Sequence, residues 1–135
     1  MEQNAKFIKS LITSTKNKTI SWNYLNENKA LLNDLSHLQN LPSISTFQED
    51  RCFFASYDDA YFVLISIAFE NFGSLYEWME LLVIPSTFRN VQSISTENDN
   101  SYSADLVRLL NLIRRNFPNP EDIMEKFISE NPPAL

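Results

Sequence analysis

His37 and Cys52 are the only imidazole and the only thiol in the chain, so a base–nucleophile pair of the His–Cys kind would have to be built from these two side chains. Their contexts point elsewhere. His37 falls near the end of an Asn-rich helical stretch, where an imidazole suits the negative end of the helix dipole. Cys52 falls in an apolar, strand-like run, where a thiol serves as a small hydrophobe. Neither is expected to act chemically. The same scarcity argues against a conventional zinc site, which needs several Cys, His or carboxylate ligands in a convergent arrangement.

Paired carboxylates can run glycosidic or phosphoryl chemistry, and two pairs are available, Asp58-Asp59 and Glu77/Glu80. The first has the composition of a hairpin turn. The second spans three positions of a predicted strand, which sends its members to opposite faces, so solvation at an edge is its expected role. Glu97-Asn98-Asp99-Asn100 comes closest to a calcium loop but does not match D-x-[DN]-x-[DN]-G, and it reads as a solvated loop. Gly73 is the single glycine, which excludes both glycine-rich loops that cradle phosphate. No catalytic residue, metal ligand or cofactor is expected, and the chain reads as a non-enzyme.

The elements that would hold these residues follow from length and pattern. A chain of 135 residues that is 44% apolar and contains ten Phe suits one folded domain, residues 1–135, with a core large enough to need no disulfide. A lone cysteine provides no disulfide framework, and the N-terminus carries no signal-peptide h-region, so a cytoplasmic location is expected. The apolar run from Ala60 to Phe69 is about half of what a membrane span needs, so no membrane association is expected. The net charge of −6 disfavours direct binding of nucleic acid phosphates. Residues 1–20 nevertheless hold four lysines against one glutamate, a local +3 that leaves −9 for the remainder.

The chain is expected to adopt an α+β fold, a three-stranded antiparallel meander over residues 47–84 flanked by about four helices. Phe7, Ile8, Leu11 and Ile12 form one helical face near residues 2–15, and Thr19–Leu25 is a short extended segment that docks Trp22 into the core. Asn26 or Asn28 caps a second helix, 28–38, with Leu31, Leu32 and Leu35 inward. The strands are Phe47–Tyr57, Ala60–Glu70 and Leu75–Ile84, and the middle one carries apolar residues on both faces, so both want cover. Residues 89–100 read as polar loop. Ser101 or Ser103 caps a third helix, 103–117, striped by Leu106, Leu109, Leu110, Ile113 and Phe117. Asn119-Pro120-Glu121-Asp122 starts a fourth, 120–130, that buries Ile123, Phe127 and Met124, and the tail 131–135 is expected to fray.

The aromatic residues clustered on the meander have the stacking rings of a single-strand nucleic acid platform but lack its basic groove, because Arg51 is the only basic residue between Lys29 and Arg89. They read better as core or as a protein interface. On the third strand Tyr76 and Trp78 alternate with Glu77 and Met79 in a mixed aromatic and polar pattern. Tyr76 and Trp78, with Tyr61, are therefore expected to form a contact surface for a protein partner or for a second copy in a homodimer.

Arg51-Cys-Phe-Phe-Ala-Ser-Tyr-Asp-Asp-Ala-Tyr-Phe-Val-Leu-Ile, followed by Leu-Leu-Val-Ile-Pro-Ser and the helix Asp105-Leu-Val-Arg-Leu-Leu-Asn-Leu-Ile, resembles small uncharacterised accessory proteins of bacterial genomes and prophages over roughly residues 20–128. The resemblance carries no functional motif. It implies a small adaptor, immunity protein or inhibitor that binds another protein. Two alternatives stand behind it: a small Mg-dependent hydrolase or nuclease using Asp and Glu, which needs three or more acids at one pocket, and an acidic nucleic-acid mimic, which needs dense carboxylate rows where this chain has scattered ones outnumbered by Asn and Ser.

Overall fold

A computed structural model describes residues 2–118 and 120–134. Five strands, β1 (Trp22–Tyr24), β2 (Phe53–Tyr57), β3 (Ala60–Asn71), β4 (Ser74–Pro85) and β5 (Gln92–Ser95), form one antiparallel sheet. Each strand pairs with its neighbour in sequence, so every connection within the sheet is a simple return. Among the described residues four helices accompany it, α1 (Gln3–Lys16), α2 (Lys29–Leu35), α3 (Ser103–Arg114) and α4 (Pro120–Glu130). The fold is α+β.

The expected three-stranded meander undercounts the sheet because its two outer strands are too short to show a period. β1 is only three residues, paired through Trp22 opposite Ala55. β5 lies within the stretch expected to be loop, and Ile94 is its one fully buried residue, so the alternation that marks a strand is barely present. Conversely, residues 47–52 are not strand. They form the end of one short 3-10 turn and a second, Glu49–Arg51, whose three charged side chains are exposed; they meet β3 through an isolated bridge from Phe47 to Ile67 and through hydrogen bonds of Gln48, Arg51 and Cys52 to Ser66.

β3 is apolar on both faces, and both faces are covered. Phe62 and Leu64 face α1 and α3, which bring Ile8, Leu11, Ile12, Leu106, Leu109, Leu110 and Ile113. Val63, Ile65 and Ile67 face the opposite way, against Leu31 and Leu35 of α2 and Phe47. Each such side chain contributes about 1.5–3 kcal/mol by leaving water, which is why β3 is fixed in register. Asn28 caps α2, its side chain accepting from the Leu31 amide at 3.1 Å. The expected serine cap of α3 is not made: Tyr102 occupies the cap position without a side-chain bond, and Ser101 donates to Asp99 instead. Both α2 and α3 stop about one turn sooner than their apolar stripes suggest, at Leu35 and Arg114.

α4 departs most from expectation. Ile123, Met124, Phe127 and Ile128, expected inside for the first three, are 54–65% exposed. The two sheet faces are packed by other elements: α1 and α3 cover one and α2 with Phe47 the other, and neither cluster includes a described residue of α4. The expected start of α4 at Asn119 and the end of the tail at Leu135 lie outside the described residues. No helix among the described residues is long and apolar enough to cross a membrane.

Candidate functional site

β3 and β4 run on well past their neighbours. β2 covers β3 only as far as Leu64, and β5 covers β4 from Glu80 to Val83. Beyond the single bridge at Ile67 and the Thr96–Met79 hydrogen bonds, the arms form a two-stranded ribbon with both edges open. At four to five residues per arm it projects roughly 15 Å. Its turn, Phe72-Gly73, has both residues at positive φ, +52° and +78°, the two-residue hairpin geometry that Asn-Gly adopts most readily. Gly73 supplies its half of that geometry at no steric cost.

Phe72 does not. A bulky side chain at positive φ is disfavoured, and this one gains nothing in return, being 99% exposed. Behind it Phe69 and Tyr76 stack with centroids 5.4 Å apart, Phe69 meets the edge of Trp78 at 5.7 Å, and Leu75 and Tyr76 are exposed. The tip is thus an apolar, aromatic surface at the end of a two-stranded stem, with Glu70 and Glu77 also exposed.

The structure places the three predicted contact residues unequally. Tyr76 and Trp78 share one face of the ribbon, but Trp78 is half-buried and tied down by its indole. Tyr61 is opposite Ile84 at the far end of β3, about 26 Å from Tyr76 by strand rise, where it packs on Phe54. Phe69, Phe72 and Leu75 complete the surface at the tip. Their signal in the sequence is Phe-Gly in a slot that turn chemistry reserves for Asn-Gly.

Where the ribbon meets the body, a cleft of about 670 Å³ opens between the loop after α2 and the β4–β5 edge. Glu80 forms part of its wall and is only 6% exposed. Its Oε1 accepts from Trp78 Nε1 at 3.1 Å and its Oε2 from Ser93 Oγ at 3.3 Å. Glu77 and Glu80 do face opposite ways, opposite Ala68 and Ile65 respectively. Edge solvation is wrong for Glu80, however, because β5 and the loop after α2 cover it.

His37 lines the same cleft, exposed, whereas Cys52 is in the core with its thiol engaged by the Ser66 backbone, donating to the carbonyl at 3.7 Å and accepting from the amide at 3.4 Å. Asp58-Asp59 forms the β2–β3 turn, with Asp58 at positive φ. Hydrogen bonds from the Ser101 side chain and amide hold Asp99 below the usual carboxylate range. Among the described residues, no three His, Cys, Asp or Glu side chains converge so as to hold a metal ion.

Burial pushes the Cys52 thiol up to about 12 from 9.0, since the thiolate would lose its hydration. The folded chain therefore retains the proton more tightly than the unfolded chain. This contribution to stability is complete below pH 9 and is lost as pH rises from about 9 to 12. Alkylation at pH 8 should be at least about tenfold slower in the native protein than in denaturant; equal rates would show that Cys52 is accessible.

Comparison with protein families, with curated proteins and with solved structures gave no match.

Proposed function

We propose that the chain is a non-enzymatic protein-binding factor, an inhibitor or immunity-like protein that docks the tip of its β3–β4 ribbon into an apolar pocket of a larger protein. The observation that carries this reading is Phe72, fully exposed at φ +52°. Backbone strain without a packing return is kept where function uses it, and aromatic side chains are among the anchors that dominate protein interfaces. The chain's net charge of −6 and the exposed Glu70 and Glu77 suit a pocket with a basic rim.

Phe72→Asn separates binding from folding. Asparagine prefers this turn, so stability should hold or rise by about 0.5 kcal/mol, while loss of the anchor should weaken binding by about 2 kcal/mol, some 30-fold. Affinity purification from the native host would compare wild type, Phe72→Asn and Tyr57→Ser, the last an exposed aromatic at the end of β2, opposite Ala60 at the start of β3. A partner held by wild type and Tyr57→Ser but lost with Phe72→Asn supports the reading. A partner retained by all three overturns it, and a wild-type dimer that Phe72→Asn dissociates in sedimentation would make the partner a second copy.

A further inference from the structure

The cleft beside the ribbon has a nearly buried carboxylate, Glu80, in its wall. The described partners of Glu80 are two neutral donors, the Trp78 indole and the Ser93 hydroxyl. Among the described residues His37 is the one basic side chain that lines the cleft, with no lysine or arginine, and Glu97 and Asp99 add two more carboxylates. A carboxylate this far from water is costly unless it is paired as well as hydrogen-bonded. The fold meets the hydrogen-bonding requirement and leaves the pairing unmet.

Each Glu80 oxygen accepts one bond, so each keeps a further lone pair. A planar carboxylate with accepting capacity left on each oxygen suits a planar fork of N–H donors better than a single ammonium. Leu41, Phe88 and Val91 line the cleft with apolar surface suited to an aliphatic stem, and the cleft's size falls within the range of small-molecule sites. We propose that this cleft binds a guanidinium group on an aliphatic stem, with Glu80 as its carboxylate partner. The same chemistry is presented by a free arginine derivative and by an arginine in a polypeptide. The proposal is independent of the ribbon tip, which Phe72→Asn tests separately.

The two tryptophans allow a direct test. The Trp78 indole N–H donates to Glu80, whereas that of Trp22 donates to Thr15 at 3.0 Å in the core on the other sheet face. N-acetylarginine amide titrated to about 10 mM should move the Trp78 indole resonance saturably and leave that of Trp22 in place. The neutral isostere N-acetylcitrulline amide should bind at least about tenfold more weakly. Glu80→Gln, with the Trp22 resonance as its check of folding, should reduce binding by a similar factor. A glycine-flanked arginine pentapeptide that binds more tightly than the amide would indicate a polypeptide source; weaker binding would indicate a free ligand. Equal response to arginine and citrulline, or no saturable shift, would overturn the proposal on the wild-type chain alone and leave Glu80 as an anchor between β4 and β5.

Discussion

Replacing Phe53 with alanine is expected to remove about 3–5 kcal/mol of stability. Phe53 is completely buried at the start of β2, with Tyr24 stacked at 5.0 Å and Phe117 tilted at 5.6 Å. The ring therefore joins three parts of the chain: β1, β2 and the turn after α3. Truncation would leave a cavity that none of them can close without giving up its own register. Against the 5–15 kcal/mol typical of a whole domain, the loss is a large fraction. Urea unfolding should show the midpoint falling with the slope unchanged. A loss below about 1.5 kcal/mol would mean that the turn after α3 collapses into the space, and that Phe117 is less firmly docked than its ring contacts indicate.

Trp78→Ala is the second large effect, and it reverses the behaviour that an interface residue would show. A purely interfacial tryptophan could be truncated at little cost to folding. Trp78 is half-buried against the α2-side core, and its indole supplies one of the two hydrogen bonds to a nearly buried carboxylate. Removing it loses packing and leaves Glu80 Oε1 without its donor, at a combined cost of about 3 kcal/mol, or roughly 10 °C in Tm for a domain of this size. Trp78→Phe retains most of the ring and isolates the hydrogen bond, at about 1–2 kcal/mol. Tyr76→Ala, two residues along on the same face and 48% exposed, should cost less than about 1 kcal/mol. If Trp78→Ala melts with the wild type, Glu80 must find another donor and the contact surface extends inward from the tip.

β3 was legible because its apolar residues run along both faces, and a strand with that pattern must be covered twice. The helices were legible in position because their stripes recur at helical spacing. What covers a stripe is a different question, since periodicity identifies the apolar side of a helix without identifying its neighbour. Ile123 and Phe127 of α4 have a pattern as regular as that of Leu106 and Leu110, yet only α3 has a partner surface. Glu80 was misplaced for the converse reason. Alternation assigned its face correctly, but the cover came from β5, whose single buried isoleucine gave too weak a signal to predict a strand. Phe72 was hidden in a different way, because a backbone angle is not written in residue types. The only trace was an aromatic residue where turn chemistry favours asparagine.

α1 and α3 lie together over one sheet face although the entire sheet separates them in sequence. That arrangement has a consequence for synthesis. The β3–β4 hairpin joins neighbours and can form as soon as it clears the ribosome, but Phe62, Leu64 and Leu81 remain without half of their cover until α3 has been made. At about 5–20 residues per second, the nascent chain spends seconds with an aromatic, aliphatic sheet face open to other nascent chains and to chaperones. Substitutions that weaken helix propensity in α3 are therefore expected to lower yield in the cell more than the same substitutions in α4, which covers none of the sheet.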